Sequence, residues 1–119
     1  MKIKNAESQI EIVWDTSGIP HVFAKNIADA YRGMGYVSGK ERLWQTHQST
    51  AYANCEAAAL LGEKFLAQDA IQRACNVHGK RTGLPASPGD WIVDAYLDGI
   101  NSTIEHLDEV PPEFENAGA

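Results

Sequence analysis

The chain has 119 residues, of which 44% are hydrophobic and 22% are charged, a balance typical of globular domains and not of disordered or fibrous chains. Ten Lys and Arg residues against 16 Asp and Glu residues give a formal net charge of -6, which disfavours binding to the phosphate backbone of nucleic acids. No apolar run reaches the roughly 18 residues that a membrane helix needs, and residues 1–10 do not resemble an export signal. We therefore expect one domain or part of one, with no nucleic acid and no membrane as a partner.

The first predicted element is a β-hairpin over about residues 10–24. Apolar side chains recur at every second position from Ile10 to Trp14, as in a half-buried strand. The turn-forming residues 15–18 separate this run from a second β-rich run over residues 19–24. Because a two-stranded hairpin is marginal in water, we expect it to join strands that another part of the protein supplies.

After the hairpin, the spacing of the apolar residues changes to that of helices. Asn26 is a candidate N-cap for a short helix, which Gly33 and Gly35 weaken. Ser38 and Glu41 form the Ser-x-x-Glu pattern, in which both side chains satisfy backbone N–H groups at a helix start. A second helix is therefore predicted to begin near residue 39, and the Leu-Gly pair at residues 61–62 offers it a stop.

Two more helices are predicted in the remainder of the chain. One is less regular, covers about residues 63–77 and is followed by a loop over residues 82–86. The other runs over about residues 87–107 and is predicted to be the longest, because its Ser-Pro-Gly-Asp opening suits a helix start. Its apolar stripe consists of Val93, Tyr96, Leu97, Ile100, Ile104 and Leu107, and the carboxylates beside the stripe are expected to be solvated. Residues 26–108 are thus mainly helical in prediction, and residues 109–119 form a C-terminal loop.

The four histidines are the first candidates for a general base, because their side chains titrate near neutrality. His21 lies in a predicted strand, where Asp15 could orient it, but a hydrogen-bonded structural histidine is the favoured interpretation. His47 follows the apolar stripe of its helix and is expected to be packed. His78 and His106 lie near helix ends, where a contact with the helix dipole explains them.

The remaining candidates for chemistry are also weak. Cys55 and Cys75 lack metal-ligand spacing, and we expect two thiols buried as small hydrophobic groups in preference to a disulfide. Ser38 and Lys40 point to different sides of a helix and do not form a catalytic pair. The sequence has no glycine-rich phosphate loop, no Gly-x-Ser-x-Gly elbow and no zinc spacing. We therefore predict no catalytic, substrate-binding or metal-binding residue and no cofactor.

Several segments nevertheless resemble the opening of the α subunit in the penicillin acylase family. Residues 15–21 match its Asp-x-x-Gly-Ile-Pro-His segment, and residues 33–37 and 40–45 match Gly-x-Gly-Tyr-Val and Gln-Asp-Arg-Leu-Trp-Gln. Further matches are residues 57–62, residues 96–101 (Tyr-x-x-Gly-Ile-Asn) and residues 111–114. Departures from the family pattern include Glu41 for Asp, Thr46 for Met and Cys55 for Gly. The order and the spacing of the segments agree along almost the whole chain, from residue 10 to residue 114.

The resemblance implies an α+β fold with an N-terminal β-hairpin followed by mainly α-helices, a fragment of an αββα N-terminal-nucleophile hydrolase whose sheets use strands from both subunits. It implies an obligate partner, a β subunit cut from the same precursor, whose N-terminal Ser is the nucleophile and whose own α-amine is the base. His21, Arg42 and Gln45 are recognisable motif positions. We interpret them as structural: His21 fixes the hairpin, and Arg42 and Gln45 anchor the second helix. Arg42 is expected to be largely buried, and Trp44 to pack against the hairpin or a neighbouring helix.

The function implied by the resemblance is hydrolysis of a non-peptide carbon–nitrogen bond, the amide of a small N-acyl compound such as a β-lactam antibiotic or an acyl-homoserine lactone. The chain alone is expected to be inactive, because it lacks the nucleophile, and residues 1–119 are interpreted as a single partial domain of a longer α subunit. The alternative is a small helical protein-binding module without catalytic activity, which offers its hairpin edge to a partner strand. Relatives are often periplasmic or secreted, and the sequence leaves the compartment open.

Overall fold

The computed structural model describes residues 3–75 and 86–118. Two strands, Glu11–Trp14 (β1) and Pro20–Phe23 (β2), precede the helices. The helices are Ile27–Ala53 (α1), Ala57–Leu61 (α2), Leu66–Cys75 (α3), Asp90–Glu105 (α4) and Pro112–Asn116 (α5), with a 3-10 turn at Glu63–Phe65. No helix in these residues is long and apolar enough to cross a membrane. The chain divides into two compact units, Met1–Arg42 with Ser87–Asp108 and Leu43–Ala86 with Glu109–Ala119.

The hairpin of the first unit confirms the prediction for residues 10–24. Its strands are antiparallel, with Glu11 opposite Phe23, Ile12 opposite Val22, Val13 opposite His21 and Trp14 opposite Pro20. Because side chains alternate along a strand, Ile12 and Val22 share a half-buried face, whereas Val13 and Phe23 share an exposed one. Within the described residues the sheet has two strands. The outer edge of each strand is therefore not paired with a further strand in that part of the chain.

Helix α1 consists of two helical segments joined by a kink at Arg42, where two helices were expected. It runs through Gly33, Gly35 and Ser38 without interruption, and its one non-helical residue is Arg42, with φ of -136° and ψ of 31°. Ser38 therefore lies inside the first segment, and the second segment begins after the kink, a few residues later than the predicted helix start near residue 39. The segments on either side of the kink, residues 27–41 and 43–53, are each shorter than the 16-residue α4, the helix predicted to be the longest.

Gly35 and Gly39 of α1 are explained by close contact with α4, and Gly33 by close contact with Val22 of the hairpin. A Cβ atom on Gly35 would overlap the carbonyl oxygen of Tyr96, and a Cβ atom on Gly99 would lie 2.6 Å from the backbone nitrogen of Tyr36. The side chain of Thr103 donates a hydrogen bond of 3.0 Å to the carbonyl of Tyr36. Gly35 and Gly99, which lower helix propensity, are thus the positions where the two backbones meet.

Helix α4 begins three residues later than predicted. Its N-cap position is Gly89, which has no side chain to cap the helix. Asp90 instead accepts a hydrogen bond of 2.7 Å from the backbone N–H of Ser87, which closes a turn before the first helical residue. At the other end, Nδ1–H of His106 donates to the carbonyl of Ser102 at 2.6 Å, the helix-end contact expected for this histidine.

The apolar stripe predicted on α4 is divided between the core and the solvent. The residues of α4 that are buried are mostly small: Ala95, Gly99, Ile100, Ser102 and Thr103. The large residues Val93, Leu97 and Ile104 are 45%, 46% and 51% exposed. The buried residues are small because the close approach of α1 leaves no room for larger side chains. This packing constraint comes from another helix, so the spacing of apolar residues along α4 does not reveal it.

In the second unit, Asp69 of α3 holds the start of α2. Its side chain is buried and accepts hydrogen bonds from the N–H groups of Ala57 at 3.1 Å and Ala58 at 2.8 Å. The neighbouring N-cap residue, Glu56, makes no side-chain capping bond. Asp69 therefore caps α2 from a distance of twelve residues in sequence, which satisfies two backbone donors that the helix cannot.

The two cysteines are free, and the expectation that both are buried is wrong. Cys75 is exposed and Cys55 is partly exposed. Cys55 has a φ of 60°, a left-handed conformation that favours glycine. The resemblance places a Gly at this position, so the backbone geometry explains the usual residue.

The C-terminal segment contains a short helix where a loop was expected. Pro112 occupies the first helical turn of α5, where its fixed φ suits helix initiation. Phe114 packs edge-on against Trp44, with ring centroids 4.9 Å apart, and lies 5.2 Å from the ring of His47. Trp44 thus packs against a neighbouring helix, as predicted. His47 lies beside the ring of Phe114 but is exposed, so the expectation that it is packed is met only in part. Residues 76–85, which include His78 and most of the predicted loop 82–86, lie outside the described residues.

Candidate functional site

The hairpin turn is organised by the carboxylate of Asp15. Its Oδ1 accepts hydrogen bonds from the backbone N–H groups of Ser17 at 2.8 Å and Ile19 at 2.9 Å. Gly18 supplies the left-handed backbone that the turn needs, with a φ of 77°. Nε2–H of His21 donates to Oδ2 of Asp15 at 3.1 Å. The Asp-x-x-Gly-Ile-Pro-His segment therefore forms one local network.

The same contacts set the charge state of Asp15. The N–H of Ile19 is the main group that lowers the pKa of this carboxyl below its ordinary value, and the His21 ring and the N–H of Ser17 act in the same direction. Because the folded pKa is lowered, the carboxylate contributes stability above the unfolded pKa, and this contribution is lost as the pH falls. Asp15 is therefore an anion at neutral pH.

A carboxylate that orients an imidazole is part of the arrangement that activates a serine or cysteine nucleophile. Within residues 3–75 and 86–118, the hydrogen-bond partner of the His21 ring is Asp15, and no hydroxyl or thiol in these ranges completes the arrangement. The His21 side chain is 52% exposed. The contact agrees with a structural role for His21, and that role stays a prediction.

Arg42 and Gln45 lie at the kink of α1 and just after it. Both side chains are exposed, so the expectation that Arg42 is largely buried is wrong. In a regular helix Arg42 would follow the buried Gly39 onto the same face, but the non-helical backbone at Arg42 ends that register. Each of the two residues still has an interaction partner. Their predicted role in anchoring the helix stays a prediction.

A buried polar cluster surrounds Asp29, which the sequence analysis did not single out. The Asp29 side chain is fully buried. It accepts hydrogen bonds from the backbone N–H groups of Glu7 at 3.1 Å and Ser8 at 3.0 Å, from the Ser8 hydroxyl at 2.8 Å and from Asn26 at 3.0 Å. Nη1 of Arg32 forms an ion pair with Oδ1 at 2.8 Å. This cluster holds residues 7 and 8 against the start of α1.

The pKa of Asp29 reflects this environment. Burial by itself raises the pKa, but the hydrogen bonds from Ser8, Arg32, Glu7 and Asn26 outweigh it and lower the pKa to about 2. Asn26 also accepts a hydrogen bond from the backbone N–H of Asp29 at 2.7 Å, so the predicted cap is confirmed. The Asn-x-x-Asp spacing is a form of the capping box and was the available signal for part of this cluster.

The cluster continues to α4 through Arg32. Nε of Arg32 lies 3.6 Å from Oδ2 of Asp98, and the Asp98 side chain is 21% exposed. Asn5 donates to Oδ1 of Asp98 at 3.1 Å. The expectation that the carboxylates of this helix are all solvated is therefore wrong for Asp98. Residues 5–8, α1 and α4 are joined by these polar contacts.

Within residues 3–75 and 86–118, no group of three or more His, Cys, Asp or Glu side chains is placed to hold a metal ion. An open groove of about 810 Å³ lies between α2 and α3. Its walls are mainly Ala58, Ala59, Leu66, Ala70 and Ala74, with Glu56 and Arg73 as its exposed charged residues. Such walls offer few of the convergent polar groups that orient a substrate.

The hairpin, the Asp15 turn and the glycine contacts define a helix-rich α+β chain with a two-stranded antiparallel sheet. A family model described as penicillin amidase matches residues 9–119. The chain belongs to the penicillin amidase family, and it corresponds to the amino-terminal, α-subunit region of that family.

Individual relatives agree with this assignment. The chain is 32% identical to penicillin G acylase of Escherichia coli over 111 residues, which cover 91% of this chain and 13% of that protein. It is 27% identical to penicillin acylase 2 proenzyme of Pseudomonas sp. (strain SE83), with 100% and 16% coverage. A solved structure of thermostable penicillin G acylase from Alcaligenes faecalis matches with a TM-score of 0.76 and 24% identity, over 93% of this chain and 63% of that chain. The chain spans less than a fifth of the length of these two curated relatives.

Proposed function

We propose that this chain is the amino-terminal scaffold of the α subunit in a penicillin amidase-type hydrolase. The whole enzyme cleaves the non-peptide amide bond of a small N-acyl compound, such as a β-lactam antibiotic or an acyl-homoserine lactone. Support comes from the family assignment and from two curated relatives that are named penicillin acylases. The β subunit, the remainder of the same precursor, is the obligate partner in this proposal, and one of the relatives is named a proenzyme.

The observation that carries the proposal is the hairpin with its open edges. Strands β1 and β2 form a two-stranded sheet in the described part of the chain, and unpaired edges present backbone N–H and C=O groups that require partners. The Asp15 network fixes one end of this hairpin, and Gly33 allows Val22 to sit directly on α1. In the proposal, strands of the remaining precursor pair with these edges, and the hairpin becomes part of an αββα core.

The chemistry of amide hydrolysis assigns the catalytic groups to the remainder of the precursor. The reaction needs an activated nucleophile, a base within about 3 Å of its proton and hydrogen-bond donors for the oxyanion. The Asp15–His21 pair is exposed and meets no hydroxyl within the described residues. The family resemblance implies that the nucleophile is the N-terminal Ser of the β subunit. In this proposal, the present chain positions other parts of the enzyme and supplies no catalytic group.

The test is a comparison of the purified 119-residue chain with the complete precursor expressed from its reading frame. Both are incubated with chromogenic N-acyl anilides that carry aromatic, short and long acyl groups. We expect amide hydrolysis by the processed precursor and none by the chain alone. A precursor in which the proposed nucleophilic Ser is replaced by Ala is the matched control and is expected to be inactive.

Two outcomes would contradict the proposal. Turnover by the purified chain that is lost in His21→Ala or Ser38→Ala would place an active site within these residues. A correctly folded complete precursor that hydrolyses none of the amides would remove the enzymatic proposal.

A further inference from the structure

Helix α4 carries its large apolar residues on the side that faces solvent. Val93, Leu97 and Ile104 are each close to half exposed, whereas the positions that pack inside are occupied by small residues such as Ala95 and Gly99. An amphipathic helix that packs on a single partner shows the opposite arrangement, with its large apolar residues inside. The three exposed residues are called the outer stripe below.

The outer stripe occupies one sector of the helix surface. At 3.6 residues per turn, its three side chains fall within a sector of about 40° around the helix and extend along about 16 Å of its length. Ile100, which is 7% exposed, lies beside this sector and connects it to the core. Single exposed apolar residues are common on protein surfaces, but contiguous ones indicate an interaction site.

The flank of the stripe identifies the kind of partner. Asp94 and Glu105 are exposed and lie on the side of the stripe that faces away from Ile100. Glu105 forms an exposed ion pair with Lys4 at 3.8 Å, so Asp94 is the main acidic group of this flank. A second copy of this chain, which also has a net charge of -6, would bring the acidic flanks of two helices close together, and like charges at an interface are unfavourable. A partner surface with apolar residues beside basic ones fits this helix better.

We propose that the outer stripe is a docking surface for the remainder of the precursor, separate from the hairpin edges. The E. coli and Pseudomonas relatives match this chain over 13% and 16% of their lengths, so proteins of this kind contain several times more polypeptide that can cover the stripe. The inference rests on the proposed function, because it takes the rest of a penicillin amidase-type precursor as the occupant. It adds a helical contact to the strand pairing proposed for the hairpin.

The experiment is site-specific photo-crosslinking in the complete precursor. The photo-reactive residue benzoylphenylalanine is introduced in place of Leu97 or Ile104, and in place of Glu105 as a matched control on the acidic flank. After illumination, the crosslinked peptides are identified by mass spectrometry. Mixed light and heavy isotope labelling of two precursor samples distinguishes crosslinks within one molecule from those between copies. Circular dichroism of each variant verifies that the precursor is folded.

We expect residues 97 and 104 to crosslink within one molecule to a peptide that lies outside residues 1–119, at a yield at least fivefold above that of position 105. Crosslinks to peptides within residues 1–119 would overturn the inference, because the chain itself would then cover the stripe. Crosslinks between copies, or equal yields at all three positions, would also overturn it.

A milder variant tests the same surface by a second measurement. In the complete precursor, Leu97→Cys and Ile104→Cys are compared with Glu105→Cys for their rate of alkylation, each relative to the rate in urea. We expect at least tenfold protection at residues 97 and 104 and little at residue 105. Unprotected thiols at both stripe positions would overturn the inference. Hydrolysis of N-acyl amides is measured separately, so a precursor that crosslinks as expected but cleaves no amide would contradict the proposed function and leave the docking surface in place.

Discussion

Replacement of Asp29 by Asn tests whether the buried cluster holds the first unit together. The pKa of Asp29 is about 2 against an ordinary value of 3.8, and one pKa unit corresponds to about 1.4 kcal/mol. The ionised side chain thus stabilises the folded chain by about 2 kcal/mol at neutral pH. The Asn amide adds a second cost, because the N–H groups of Glu7 and Ser8 point at different oxygens and one of them would face an NH₂ group. We expect a total loss of about 2 to 4 kcal/mol.

The pH dependence of this loss follows from the direction of the shift. A lowered folded pKa gives stability that is fully present above the unfolded pKa and is lost as the pH falls through the folded pKa. The free energy of unfolding of the wild-type chain should therefore approach that of Asp29→Asn between about pH 5 and pH 2. Asp94→Asn is the matched control, since Asp94 is exposed, and we expect it to change stability by less than about 0.5 kcal/mol.

The assay is urea unfolding followed by tryptophan fluorescence at pH 7, 5, 3 and 2, with the midpoint and the slope fitted separately. A loss below about 0.5 kcal/mol at pH 7 would show that Asp29 does not hold the cluster together. A difference between the two proteins that stays constant from pH 7 to pH 2 would refute the assigned charge state.

Three further substitutions address other contacts, each measured by urea unfolding with reductant present. Gly35→Ala should destabilise the chain by about 2 kcal/mol despite the better helix propensity of Ala, because the new Cβ atom would overlap the backbone of Tyr96. Wild-type stability of this variant would contradict the close contact between α1 and α4. Cys55→Gly should stabilise it by about 1 kcal/mol through relief of the left-handed backbone, and a lower midpoint would count against that geometry. Asp69→Ala should cost about 1 to 2 kcal/mol and speed hydrogen exchange at the N–H of Ala57; unchanged exchange would show that α2 is capped in another way.

Local signals were sufficient for the hairpin and for the first helix cap. The alternation before Trp14 and the turn chemistry of Asp15 and Gly18 depend on neighbouring residues, and the structure confirms the strands and the turn. Asn26 caps α1 for the same reason, since its partner Asp29 is three residues away. The family segments pointed to the penicillin amidase assignment, which the family model confirms.

The errors concern residues whose environment is set by distant parts of the chain. Gly33 and Gly35 were interpreted as weakening the helix, because their low helix propensity is visible in the sequence. The close contacts of Gly33 with Val22 and of Gly35 with Tyr96 are not visible there. The prediction that Arg42 is buried was wrong because the non-helical backbone at Arg42 changes the face of α1 on which its side chain lies. Asp69 serves a helix start twelve residues away, which no local pattern reports. Two interpretations stay predictions. One is that residues 1–119 form a single partial domain, and the other is that His21, Arg42 and Gln45 have structural roles.

The glycine contacts between α1 and α4 also constrain how this pair of helices can diverge in evolution. The atoms that would block a side chain at Gly35 and at Gly99 belong to backbone, so no substitution on the opposite helix can make room for one. At Gly39 the blocking atom is Oγ1 of Thr103, 2.7 Å from the position of a Cβ atom, and a smaller residue at 103 would remove it. We therefore expect Gly35 and Gly99 to be fixed among homologues, and positions 39 and 103 to covary.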